Sequence, residues 1–173
     1  LARFFQTGEY SRGEVHQTLS PAMDIQVASN FERFLYYYFD QDSTRLCEFM
    51  SEFNTTGKAS IGGPPTDDLF TAVAVGREET LAAMAEAKDN YDYILDPHTA
   101  VGYAAIKVQV GGLSAPRICI ATAHPAKFPD AVIEATGITP THPSLEALSG
   151  LPVRKGHIDA NIEAVKEYLA ARV

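Results

Sequence analysis

The sequence predicts an α/β fold with a parallel sheet, and three observations carry that expectation. Two short runs, Leu69–Val75 and Arg117–Ala123, are rich in apolar and β-branched residues, as buried strands are. Runs with apolar residues at helical spacing alternate with them. Finally, 46% hydrophobic against 21% charged residues in a chain of 173 suits one core-forming domain and excludes a disordered or fibrous chain. The alternation is lopsided, because two strands cannot make a sheet covered on both faces. Further strands are therefore expected upstream, and the domain is helix-rich and incomplete without them. The opening Leu1-Ala2-Arg3-Phe4-Phe5 agrees, since it has neither a Met nor a charged-then-apolar leader and reads as the middle of a longer polypeptide.

Taken in order, Leu1 to Gln6 is the tail of an element that closes at Thr7-Gly8. Residues 8–25 are mixed and include Ser20-Pro21, so they read as an extended or looping connection. Ser29-Asn30-Phe31-Glu32 has the spacing of a capping box, which makes Ser29 the expected cap of a helix. Phe31, Phe34, Leu35 and Tyr38 supply its apolar face. In the next helix Leu46, Phe49, Met50 and Phe53 repeat that spacing, Asp42 or Ser43 is the cap, and Gly57 is the stop. Cys47 lies off the stripe. Ser60 to Pro65 is a loop, and its glycines lack the pattern of a phosphate-binding loop.

After the first strand, Arg77–Lys88 reads as a helix with Glu78 and Glu79 at its positive end. Asp96-Pro97 pairs an N-cap residue with Pro at the first helical position, and Val101, Ala104, Ala105 and Val108 form the expected apolar face. Beyond the second strand, His124-Pro125 opens a helix running through Phe128 and Val132 to Gly137. A short helix from Pro143 and a last one over Asp159–Ala171 close the chain.

Charge narrows the function. Fourteen Lys+Arg against 22 Asp+Glu leave a formal charge of −8, opposite to what a phosphate backbone or an anionic membrane surface attracts. No run approaches the ~20 apolar residues of a membrane helix. Two cysteines without ligand spacing read as free thiols of a reduced, cytoplasmic protein, with Cys119 inside a strand core. Asp96, His98 and His124 lack any paired metal-ligand spacing, so no metal is expected. On local sequence alone, Asp96 and His124 are helix caps. Thr122 to Pro125 nevertheless ends a strand, and ligands of open α/β sheets bind at the carboxyl ends of strands.

Five segments carry more than local structure: Arg3–Gly8 (RFFQTG), Thr18–Ile25 (TLSPAMDI), Ser29–Arg33 (SNFER), Asp96–Gly102 (DPHTAVG) and Ala121–Phe128 (ATAHPAKF). Together and in this order they resemble the carboxyl-terminal part of the threonine synthase family, over most of the chain up to Phe128. The resemblance implies the tryptophan synthase β-like fold, a three-layer parallel-sheet architecture with pyridoxal 5′-phosphate between two α/β domains. Residues 1–140 would be the carboxyl half of the cofactor domain, and 141–173 terminal helices packing on it. The implied reaction is conversion of O-phosphohomoserine and water to threonine and phosphate.

The family's Schiff-base lysine and the glycine-rich loop for the cofactor phosphate belong to the amino-terminal half. The resemblance therefore makes that half a partner of this chain and assigns no catalytic residue here. Lys127 is not the linking lysine. Thr122 matches the family position whose hydroxyl meets the pyridine nitrogen, with a strand-end Thr bonding backbone as the plain alternative. His124 would hold the turn after it. Ser29, Asn30 and Arg33 would line the substrate side, where an anionic phosphate asks for Arg or Lys, although Arg33 is equally a surface residue of its helix. Asp96, His98 and Thr99 would form a loop near the cofactor, either capping or positioning. Two rivals stand beside this reading: a threonine synthase-like phospholyase that releases phosphate without making threonine, and a non-catalytic α/β interaction module.

Overall fold

A computed structural model describes residues 1–66, 69–108 and 116–172. Contacts divide the chain into two units, Leu1–Thr141 and His142–Val173.

The first half of the larger unit is built on aromatic residues. Helix α1 (Ala2–Thr7) ends at Gly8, whose φ of 77° is left-handed. A Cβ there would sit 1.9 Å from the Gly63 carbonyl oxygen, so only glycine lets the two backbones pass. Strand β1 (Glu9–Ser11) pairs antiparallel with β2 (Lys58–Ser60), Tyr10 opposite Ala59. Neither strand is predicted from the sequence, which places β1 in a connection and β2 between the Gly57 stop and the loop from Ser60, because three residues are too few to show a period of two. Between its strands run α2 (Phe31–Tyr38) and α3 (Ser43–Thr56). Their stripes meet as read: Phe31, Leu35, Phe49 and Phe53 are buried, with Phe34, Tyr38, Leu46 and Met50 packed around them.

The two helix starts differ. Asp42 caps α3 as expected, its carboxylate accepting from the Thr44 and Arg45 amides at 2.9 and 3.1 Å, and Gly57 ends the helix. The capping box expected at Ser29 is absent. The residue preceding α2 is Asn30, which makes no side-chain cap, and the Phe31 amide bonds the Ala28 carbonyl at 2.9 Å. Ser29 and Asn30 form a turn that holds the Ser29 hydroxyl outside the helix.

The second half of the unit is built on small residues. Helix α4 (Arg77–Tyr91) runs three residues past its expected end, and Thr80, Ala83, Met84 and Ala87 face inward. Glu79 reaches back to accept from the Gly76 amide at 2.7 Å. Against α4 pack α5 (Pro97–Val108) and α6 (Pro129–Thr136), joined by Leu95, Ala100, Ala104, Ala131 and Val132 in a second core. The apolar face of α5 is only partly the one its sequence predicts: Ala104 is buried and Val101 and Ala105 are half-buried, but Val108 is 73% exposed, and the first turn, Pro97, His98, Thr99 and Ala100, is buried as well. The helix expected from His124 is broken in two. A 3-10 turn, Pro125–Lys127, precedes α6, because Pro129 has no amide to continue the first turn.

The two expected strands do not pair. Leu69–Val75 and Arg117–Ala123 are irregular in the described residues, and β1–β2 is the one sheet there. A strand needs a partner to hydrogen-bond, and local sequence does not supply one. The alternation survives around Cys119, which is half-buried between Ile118 and Ile120, 81% and 71% exposed. Gly102 of α5 admits this segment closely, since a Cβ would meet the Cys119 sulfur at 3.2 Å.

In the second unit, α7 (Pro143–Glu146) starts at a His142 cap. Helix α8 (Ile162–Ala170) starts three residues later than expected, where the Asn161 side chain accepts from the Ala164 amide at 2.8 Å. Among the described residues no helix is long and apolar enough to cross a membrane.

Candidate functional site

The join between segments distant in sequence is made by one buried carboxylate. Asp96 is 1% exposed at the start of α5. Its Oδ1 accepts from the His98 amide at 2.9 Å, the N-cap bond the sequence predicts, and from His98 Nδ1 at 3.0 Å. Its Oδ2 accepts from the Thr99 hydroxyl. A carboxylate in this position only accepts, so the single Thr99 hydroxyl proton points at it. The Thr99 oxygen is left to accept, and it does so from the Thr122 amide at 3.2 Å.

The same logic fixes the tautomer of His98. With Nδ1–H committed to Asp96, Nε2 carries a lone pair, which accepts from the Ala22 amide at 3.3 Å. The ring also packs on Phe128, centroids 4.6 Å apart. Two loops are thereby tied to one buried anion.

The first loop is self-bracing. Asp24 accepts from the Thr18 amide at 2.8 Å and hydroxyl at 2.7 Å, and the Thr18 oxygen accepts from the Ser20 amide at 3.0 Å. These Thr18 bonds, backbone first, hold the Asp24 carboxyl below its ordinary value of 3.8. A lowered folded pKa means a contribution that is present above the unfolded value and lost as pH falls through the folded one. The Thr18–Asp24 bonds are expected to persist to below pH 3.8. Carbon-detected titration of the Asp24 carboxyl together with the Thr18 amide shift measures this, and a joint midpoint at or above the ordinary value would contradict it. Beside this loop lies a largely apolar cavity of about 540 Å³, bordered by Ser20, Asp24, Ala28, Val75, Thr80 and Val101.

The second loop carries Thr122 and His124. Thr122 is exposed, its backbone is held by Thr99, and its hydroxyl bonds no other described residue. His124 Nδ1 accepts from the Ala126 amide at 3.1 Å, so it is the turn cap that local sequence predicts. Lys127 is exposed, with its ammonium 5.9 Å from the Phe128 ring centroid. Asp96, His98, Thr99, Thr122 and, through Phe128, the Pro125–Lys127 turn thus share one neighbourhood.

Ser29, Asn30 and Arg33 do not join it through any hydrogen bond among the described residues. All three are exposed, and Asn30 and Arg33 border a shallow groove with Phe34, Tyr37, Tyr38 and Phe70. No group of three or more acidic, His or Cys side chains suited to a metal is found among the described residues. Ala22 and Thr18 were missed as site residues. The signal was present in the Ser20-Pro21 turn flanked by Thr18 and Asp24, a hydroxyl and a carboxylate at the two ends of one short loop.

Cys119 donates to the Thr99 carbonyl at 3.7 Å, and burial first, then the Asp96 charge, push its thiol upward. Cys47 is exposed on α3, and both thiols are free. The thiolate is the reactive form and access sets the rate, so exposed Cys47 should be alkylated before the half-buried Cys119, whose thiol is pushed upward. Timed iodoacetamide labelling with peptide mapping reads the order, and Cys119 reacting first would refute it.

With this geometry in view, the chain compares closely with known proteins. A family model described as threonine synthase, C-terminal, matches residues 99–169. Threonine synthase of Pseudomonas aeruginosa is 38% identical over 138 residues, covering 78% of this chain and 29% of the relative. A solved structure of pyridoxal-phosphate-bound threonine synthase from Brucella melitensis matches with a TM-score of 0.75 at 36% identity, over 85% of this chain and 32% of that one. The yeast threonine synthase structure matches with a TM-score of 0.78 at 32% identity, over all of this chain and 40% of that one. These likenesses define the class: an α/β chain that is part of the tryptophan synthase β-like fold. The chain belongs to the threonine synthase family, corresponding to its carboxyl-terminal part. It spans between 29% and 40% of the length of these relatives.

Proposed function

We propose that this chain supplies the carboxyl half of the cofactor domain, residues 1–140, and terminal helices, 141–173, of an enzyme converting O-phosphohomoserine and water to threonine and phosphate. The observation carrying this reading is Thr122: an exposed hydroxyl with no protein partner among the described residues, on a backbone pinned from behind by Thr99. That donor-acceptor suits a pyridine nitrogen, so the residues present fit pyridoxal 5′-phosphate on this side. The cofactor, when bound, supplies the electron sink for breaking bonds around the substrate α carbon.

Thr122 would hold the ring nitrogen by a hydroxyl, which leaves it largely neutral, whereas a carboxylate would hold it protonated. Asn30 and Arg33, exposed along the groove beside α2, suit an anionic phosphorylated substrate. His124 and the Pro125–Lys127 turn would keep Thr122 in place, and Lys127 stays at the surface rather than linking the cofactor. The exposed Ile118 and Ile120 are where strands of the amino-terminal half would lie, in a cytoplasmic enzyme. One hydrogen bond contributes only about 1 kcal/mol, against the about 8 kcal/mol of micromolar affinity, so this chain alone should be inactive.

The test assays the protein carrying this chain with O-phosphohomoserine and pyridoxal phosphate. Threonine and phosphate in equal amounts are expected. Phosphate without threonine would replace the reading with a phospholyase, and neither product with an interaction module. Thr122→Val should keep bound cofactor and slow turnover roughly fivefold, the equivalent of one hydrogen bond. A stoichiometric borohydride-fixed adduct of this chain alone would overturn the assignment of the linking lysine to the other half.

A further inference from the structure

We propose that Asp96 is a positioning residue that sets two active-site backbones at once, Thr122 through Thr99 and Ala22 through His98. The inference deepens the functional reading above and rests on it for the meaning of Thr122. The geometry points to it in three steps.

The first step is direction. Each bond in the chain Thr122 amide, Thr99 hydroxyl, Asp96 carboxylate, His98 imidazole, Ala22 amide has one possible donor, and every proton points toward Asp96. Neither the hydroxyl nor the ring can turn around without leaving a buried group unpaired. The second step is burial. Asp96, His98 and Thr99 are 1%, 5% and 4% exposed, so water does not offer a competing partner. The third is reach. The two amides lie 76 residues from His98 and 23 from Thr99 along the chain, so the carboxylate fixes loops that share no local structure. A plain N-cap needs only the bond from the His98 amide. The Thr99 and His98 side-chain bonds exceed what capping requires, and each ends on a loop backbone.

The two branches can be cut separately. Thr99→Val removes the hydroxyl at nearly constant volume, and Thr99→Ser restores it. His98→Asn keeps a donor where Nδ1 stands and removes the Nε2 acceptor. Asp96→Asn disturbs both. The experiment reads amide hydrogen exchange at Ala22, Thr122 and, as a reference for overall stability, Leu35, in the protein carrying this chain.

Thr99→Val should speed exchange at Thr122 about fivefold and leave Ala22 unchanged. His98→Asn should do the converse, Asp96→Asn should speed both, and Thr99→Ser should return Thr122 to its original rate. Leu35 should hold steady in the single-branch variants. Equal acceleration of Ala22, Thr122 and Leu35 by either branch variant, or no acceleration at all, would overturn the proposal, because it would make the cluster a general stabiliser or a set of bonds the loops do not need. If the branches respond as expected but Thr99→Val leaves turnover untouched, positioning stands and the error lies in assigning Thr122 to the cofactor.

Discussion

Phe53→Ala is expected to destabilise the larger unit by about 3–5 kcal/mol, the range for emptying an aromatic site in a packed core. Phe53 is 0% exposed. Its ring stacks on Tyr10 at 4.4 Å, and the Arg12 guanidinium lies 4.9 Å from its centroid. Removing it therefore loses transfer energy, the stack and the cation–π contact together, and it unseats α3 from β1. The surrounding rings are large and rigid, so the space left behind would collapse only in part. Tyr37→Ala is the matched control, because Tyr37 is 66% exposed on α2 and its loss should stay within about 0.5 kcal/mol. Urea denaturation of both variants decides the matter. Equal shifts would mean that the aromatic cluster is not the core of this half.

The cluster around Phe53 was legible in the sequence, and the reason is local. Asp42, the stripe of Leu46, Phe49, Met50 and Phe53, and Gly57 all lie within one helix, so cap, face and stop read from a single window. The same window failed at Ser29. A capping box and a turn share residue types, and the choice between them is made by the Ala28 carbonyl bonding the Phe31 amide. The two strand readings had the right composition and the wrong outcome, because pairing depends on partners distant in sequence or in another part of the fold. On α5 the apolar residues told only part of it, Ala104 being buried and Val108 exposed, because hydropathy gives no credit for a buried Asp, His or Thr. Those polar residues bury the first turn, and Ala100 and Ala104 carry the packed face beyond it.

The site divides along the same line. Asp96 and His124 were readable as caps, and they do cap. That Thr99 reaches Thr122 and His98 reaches Ala22 was not readable from spacing, since no periodicity spans those separations. The family motifs carried the information instead: Thr18–Ile25, Asp96–Gly102 and Ala121–Phe128 were recognised as separate segments, and the structure hydrogen-bonds them to one another.

That linkage makes Asp96→Ala the second large effect, expected at about 3–5 kcal/mol. The variant leaves three donors without their acceptor: the His98 amide, His98 Nδ1 and the Thr99 hydroxyl. Each buried donor left unpaired costs about 1–3 kcal/mol, and the loss of a buried carboxylate's own desolvation cost offsets only part of that sum. Asp42→Ala is the informative comparison. It removes the same cap chemistry from α3, where Asp42 is exposed and water replaces the carboxylate, so about 1 kcal/mol is expected. The difference between the variants isolates burial and the two side-chain bonds from capping as such. Denaturant melts at neutral pH, with helix content and a near-ultraviolet tyrosine signal followed together, give both numbers. Should Asp96→Ala cost no more than Asp42→Ala, the carboxylate would be a cap and nothing else, and the two loops would be held by contacts that do not pass through it.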